Sequence, residues 1–192
     1  MAERKPKSLA ATIVKTFSLD APVERVYRAF TERRDLEEWL AEPYEIDARE
    51  GGAFAFGQMA DGHTTSGKFV EVVPNKRLVY TWSFTVIDPK TRKVLPNWSE
   101  DRPTKVEITF ERAGKGTKVT IRHEGFPEAA TEYWPHEVGW EMLVGEVLRK
   151  YLEVPRRDFD AWWEAEGEAW QRRFSSTVDA RARATGAQVP SR

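Results

Sequence analysis

The chain has 192 residues, 40% of them hydrophobic, enough to bury a full core and short enough that one domain with appendages is the expected organisation. Lysine and arginine number 30 against 31 acidic residues, so a formal charge of -1 gives no global basis for a nucleic-acid or anionic-membrane partner. The absence of cysteine excludes disulfides, thiolate metal sites and cysteine nucleophiles, and no apolar run reaches the length of a membrane span or a secretory signal; a cytoplasmic protein is the resulting expectation.

Residues 1–9 are charged and are read as a disordered segment ahead of a domain over residues 10–154. Ala11 to Asp20 is rich in β-branched and aromatic residues and predicts a strand running into a helix, with Asp20 as cap and Pro22 in the first turn. Val23, Val26, Tyr27 and Phe30 recur at helical spacing, and a second short helix from Arg34 to Leu40 carries Leu36, Trp39 and Leu40 before Pro43 ends it. From Tyr44 to Glu124, short apolar runs alternate with Gly51-Gly52, Asp61-Gly62, Pro74-Asn75 and Gly114-Lys115-Gly116, the pattern of an antiparallel meander. Leu78, Tyr80, Trp82 and Phe84 share one strand face, as do Val106, Ile108 and Phe110, and then Val119, Ile121 and His123. The meander is interrupted by a polar, proline-bearing insertion over residues 86–103, read as a long loop anchored by Trp98.

After Pro135, a long amphipathic helix is predicted to Val154, with Trp140, Leu143, Val144, Val147, Leu148, Tyr151 and Leu152 on one stripe. Gly139 and Gly145 each cost about 1 kcal/mol relative to alanine in such a helix; close approach to the sheet, room for a ligand, or simple tolerance would each account for them. Residues 155–175 read as a tryptophan-rich helical extension carrying Phe159, Trp162, Trp163, Trp170 and Phe174, and residues 176–192 as a disordered tail. Aromatics exposed on the extension would need a partner, so the extension or the insertion is a candidate homodimer surface.

A strand, two short helices, a run of antiparallel strands and a long closing helix describe an α+β helix-grip fold: a curved antiparallel sheet wrapped around a long C-terminal helix. The segments IVKTFSLDAPVERVYRAFT, DLEEWL, REGGAFAF, GKFVEVVPNKRLVYTW, VEITFE, GTKVTIRHEGFP and HEVGW leading into LRKYLE occur in the order of a known pattern. Over roughly Thr12 to Glu153 the chain resembles the activator-of-heat-shock-ATPase-like family, in its single-domain, bacterial-type form, within the START-like, polyketide-cyclase-related superfamily. That resemblance implies an internal cavity in a superfamily spanning lipid carriers, cyclases, receptors and a co-chaperone domain, so the site has to decide the function.

Trp39, Phe54, Phe56, Phe69, Tyr80, Trp82, Phe84, His123, Trp140 and Val144 are the expected cavity residues, with Tyr151 nearby. His123 and Tyr80 are the candidates for proton transfer, although a paired structural histidine is the stronger reading of His123. His136-Glu137 lacks the second histidine of a zinc helix, because Trp140 stands in its place, and His63 reads as a surface residue in a turn. No Gly-x-Ser-x-Gly or phosphate loop is present, and no metal or cofactor is expected. Three functions stay open at this stage: non-catalytic binding of a lipid-like or aromatic compound, a cyclase or dehydratase acting on such a compound, and a chaperone-interacting module.

Overall fold

The computed structural model describes residues 11–40, 43–56, 63–87, 91, 94–95, 99, 101–127 and 132–185. Strand β1 (Ala11–Leu19) leads into two short helices, α1 (Val23–Ala29) and α2 (Arg33–Trp39). Strands β2 (Pro43–Ile46), β3 (Ala53–Phe56), β4 (His63–Val73), β5 (Arg77–Ile87), β6 (Val94–Leu95), β7 (Thr104–Ala113) and β8 (Gly116–Phe126) follow. All pair antiparallel in the order β1-β8-β7-β5-β4-β3-β2, with β6 added to β5. Helix α3 runs without a break through Tyr133–Gly139, Trp140–Leu148 and Arg149–Glu153, its middle segment wound as a π-helix. Helix α4 (Arg156–Ala184) closes the described chain. This is the helix-grip architecture, with α3 lying in the grip of the sheet.

The alternation expected of the strands is what positions the core. Val106, Ile108 and Phe110 are buried from β7, Val119, Ile121 and His123 from β8, and Leu78, Tyr80 and Phe84 from β5, so one sheet face is packed. The sheet curves where its register breaks, between Phe69 and Glu71 on β4 and near Gly125 on β8. Gly125 has φ +102, a conformation that side-chain-bearing residues rarely adopt, and the irregularity there goes with a fully buried Phe126. The insertion is pinned by Ser99, whose hydroxyl accepts from the Phe84 amide at 3.0 Å and donates to the Phe84 carbonyl at 2.9 Å. Trp98, expected to anchor this segment, lies outside the described residues.

Several local expectations are corrected. Asp20 does not cap α1: Pro22 occupies the cap and no side chain bonds there. Helix α3 starts at Tyr133 instead of after Pro135, because a proline in the first turn sacrifices no intrahelical hydrogen bond. His63 opens strand β4 and is not in a turn. A Cβ at Gly145 would sit 3.4 Å from the Phe17 ring of β1, an ordinary contact, so the helix meets β1 there without space being the reason for glycine.

The largest correction concerns the tail, where a disordered stretch was expected from residue 176. Helix α4 continues to Ala184, burying Val178 and Ala182. The cause is electrostatic as well as apolar: Arg181 pairs with Glu137 and, at 2.9 Å, with Glu141 of α3, and Lys15 of β1 joins the same two carboxylates. Such charges are worth little singly and more as a network. Two of the five aromatic residues of α4, Phe159 and Trp170, are buried, and Trp170 stacks on Phe174 at 5.7 Å. Among the described residues no helix is long and apolar enough to cross a membrane.

If α4 is part of the packed domain, Phe159→Ala should cost about 3–5 kcal/mol in urea unfolding. The same change at Trp163, which is 38% exposed, should cost clearly less. Equal, small losses would mean that α4 detaches from the domain in solution.

Candidate functional site

The space between sheet and α3 narrows to a cavity of about 20 Å³, the room needed by one water molecule. Its described lining is Phe30 from the end of α1, Leu36, Trp39 and Leu40 from α2, Ile46 from β2, Phe54 and Phe56 from β3, Phe69 from β4, Tyr80 and Trp82 from β5, and Trp140 from α3. Phe54 is the centre of this cluster, with ring centroids 5.6, 5.7, 5.2 and 5.9 Å from Phe56, Phe69, Tyr80 and Trp82. It can sit there because Gly67 on the neighbouring strand has no side chain: a Cβ would lie 2.7 Å from the Phe54 ring and 1.9 Å from the Thr81 carbonyl oxygen. The pairs with Phe69 and Tyr80 are edge-to-face, an arrangement that contributes about 0.5–1.5 kcal/mol each beyond burial.

Seven of the ten expected cavity residues therefore meet at the lining: Trp39, Phe54, Phe56, Phe69, Tyr80, Trp82 and Trp140. Phe84, His123 and Val144 are buried but are not among the described lining residues. Tyr151 instead donates to Asp35 at 2.5 Å beneath the guanidinium of Arg25. Phe30, Leu36, Leu40 and Ile46 were missed as lining. The helical spacing of Phe30 and Leu36 was legible, yet it indicated an apolar face without saying that the face ends at a cavity.

The polar atoms around the cavity are organised by two histidines. Trp82 on the sheet donates its indole N–H to Nε2 of His136 on α3, at 2.9 Å, and the His136 Nδ1–H donates to the Glu132 carbonyl at 2.7 Å. In the reverse direction Trp140 on α3 donates to Nδ1 of His123 on the sheet, at 3.1 Å. With Nδ1 accepting, the His123 proton must lie on Nε2, 2.7 Å from the Thr104 hydroxyl, which in turn donates to the Trp82 carbonyl at 2.9 Å. The third lining indole, Trp39, donates to the Ala29 carbonyl at 2.7 Å.

His123 is 0% exposed. Burial holds its imidazole well below the ordinary value of 6.5, and the neighbouring His136 pushes the same way. Both of its nitrogens are committed to the protein, so the geometry gives it a structural position. Burial raises the Tyr80 hydroxyl far above its usual range, keeping it a neutral phenol. Among the described residues no three His, Asp or Glu side chains gather as metal ligands.

Comparison with known proteins places this geometry. The profile of the family described as "Activator of Hsp90 ATPase homolog 1-like protein" matches residues 20–153. The chain belongs to that family. Among its relatives is the mouse "Activator of 90 kDa heat shock protein ATPase homolog 2", 29% identical over 135 residues, a match covering 70% of this chain and 36% of the mouse protein. The human homolog 1 is 28% identical, covering 77% of this chain and 38% of its own, so the chain spans little more than a third of the length of the curated relatives it matches. Among solved structures, a protein from Chromobacterium violaceum is 32% identical, with a TM-score of 0.59, covering 75% of this chain and 98% of that one. CalU16 from Micromonospora echinospora is 26% identical with a TM-score of 0.57, covering 88% and 89%.

In this member of the activator-like family the His123 environment makes a pH prediction. A histidine with a depressed folded-state value binds fewer protons folded than unfolded, so stability is complete above about pH 6.5 and falls as the pH drops below it. Thermal melts between about pH 6.5 and about pH 5, above the carboxylate range, should show this loss, and His123→Gln should reduce it. An unchanged slope in the variant would remove His123 as the cause.

Proposed function

We propose that this chain is a non-catalytic binder of an uncharged hydrophobic small molecule, held between the sheet and α3. The observation that carries the reading is the lining itself: eleven described residues, every one aliphatic or aromatic, around a space that the chain does not fill. The π-wound turn beginning at Trp140 supports it, since such turns are frequent where a helix meets a functional site. A cavity of about 20 Å³ admits no such compound as it stands, so entry requires the lining rings to part. A cyclase or dehydratase reading draws less support. Tyr80 is the one titratable group in the described lining, and acid–base chemistry at an uncharged substrate ordinarily needs a second.

Family membership favours a second reading, an interaction module that acts on the ATPase of a 90 kDa heat shock protein. It would use surface, not cavity, and is separable by experiment.

Titration of the wild-type protein with naphthalene and with dodecanol, followed by tryptophan fluorescence, should give saturable one-site quenching by at least one of them. Phe54→Ala, which enlarges the cavity, should bind more tightly while losing about 3–5 kcal/mol of stability. Binding by Phe54→Ala alone would identify a filled core and overturn the reading. Stimulation of purified 90 kDa heat shock protein ATPase by a wild-type chain that binds neither probe would establish the second.

A further inference from the structure

A second cavity opens where the end of β1, the β7–β8 hairpin and the last part of α3 meet, and it shares no described lining residue with the apolar one. Its volume is about 280 Å³, just below the range of about 300–1,000 Å³ typical of sites for drug-sized ligands. Five of its eight described lining residues are polar or charged, namely Ser18, Asp20, Lys115, Thr117 and Arg149, and none is aromatic, so it suits a polar ligand. The hairpin is locked against β1. Thr117, 1% exposed, donates its hydroxyl to the Ala21 carbonyl at 2.8 Å, and a Cβ at Gly116 would meet the Leu19 carbonyl oxygen at 2.5 Å. Arg149 is half-buried and held from behind: its Nε donates to the Gly145 carbonyl at 2.9 Å, which leaves the terminal guanidinium nitrogens without a carboxylate among the described residues. Glu146, one turn earlier on α3, is already paired with Arg173 at 2.8 Å. On the hairpin, Glu111 is paired with Lys118 at 3.0 Å, and Lys115 has no ion-pair partner among the described residues. Asp20 lines the same cavity and pairs with neither cation.

We propose that this cavity binds a small, non-aromatic phosphate monoester that carries a hydroxyl group. Arg149 offers a planar fork of donors and Lys115 a point charge, and a phosphate brings both a charge of about -1.5 to -2 at pH 7 and the acceptor oxygens that match them. A monocarboxylate would leave one of the two cations without a counter-charge. The hydroxyl follows from Asp20, whose carboxylate can only accept and would otherwise face the phosphate with nothing between them. A nucleotide is disfavoured because the described lining has no ring on which a base could stack. Nothing in this site depends on what the apolar cavity holds.

The test is calorimetric titration of the full chain, in a phosphate-free buffer, with glycerol 3-phosphate, inorganic phosphate and glycerol. The wild type should bind glycerol 3-phosphate saturably at one site, inorganic phosphate more weakly, and glycerol not at all. Arg149→Gln should weaken glycerol 3-phosphate by roughly tenfold, and Lys115→Gln by a smaller factor. Asp20→Ala should remove the preference for the ester over inorganic phosphate. Arg183→Gln, which deletes the same charge from an exposed position on α4, should change nothing. Lys115 is exposed on a hairpin, so weaker binding by its variant reports the site and not the fold, and an unchanged melting temperature checks Arg149→Gln on the same point. Absence of saturable binding by the wild type overturns the proposal, as does equal weakening by Arg183→Gln and Arg149→Gln, which would identify diffuse charge attraction. Inorganic phosphate bound as tightly as glycerol 3-phosphate by the wild type overturns the assignment of an ester.

Discussion

Two reciprocal hydrogen bonds hold the sheet and the gripped helix at their working separation. A sheet tryptophan, Trp82, donates to a helix histidine, His136, and a helix tryptophan, Trp140, donates to a sheet histidine, His123. An indole offers one donor and no acceptor, so each bond fixes the tautomer of the histidine it meets and requires that histidine to be neutral. Thr104 closes the circuit by linking His123 to the Trp82 carbonyl, which makes the position of one strap depend on the other. Networks of this kind specify a unique arrangement when every member is satisfied.

The remaining architecture serves that separation. Sheet curvature at Gly125 goes with the burial of Phe126, 4.5 Å from the His123 ring, and the π winding of α3 begins at Trp140. Gly67 makes room for Phe54, which fills the opposite wall with aromatic surface. On the outside, Lys15 and Arg181 clamp Glu137 and Glu141 from two directions, so α4 braces the outer side of the helix that carries His136 and Trp140. The interior left over is small and apolar, and the three indoles that bound it are already hydrogen-bonded within the protein.

The sequence made the strands legible because a half-buried antiparallel sheet repeats every two residues. Leu78, Tyr80 and Phe84 on one strand, and Val119, Ile121 and His123 on another, could be placed on the packed face by parity alone. Partners were not legible in the same way. Trp140 is 17 residues from His123 and Thr104 is 19, and nothing in local periodicity brings three such positions together. The contribution of α1, α2 and β2 to the lining was missed for the same reason. Helix α4 was read as ending too early because Val178 and Ala182 stand among arginine, aspartate and alanine, where apolar spacing is faint and the decisive contacts come from Glu137 and Glu141. Proline also misled at Pro135, where a first-turn position is as acceptable as a boundary.

The central claim is that the space walled by Trp39, Trp82 and Trp140 opens to receive a small molecule while the rest of the fold stays as it is. The measurement that addresses it most directly is a proton–nitrogen correlation spectrum of the eight tryptophan indoles, recorded during titration with 2-acetylnaphthalene. The account predicts that the Trp39, Trp82 and Trp140 indole resonances, assigned by single Trp→Phe variants, move together and saturate, while Trp162 and Trp163 on α4 stay in place. Resonances that shift only on α4, or eight that do not shift at all, would contradict it.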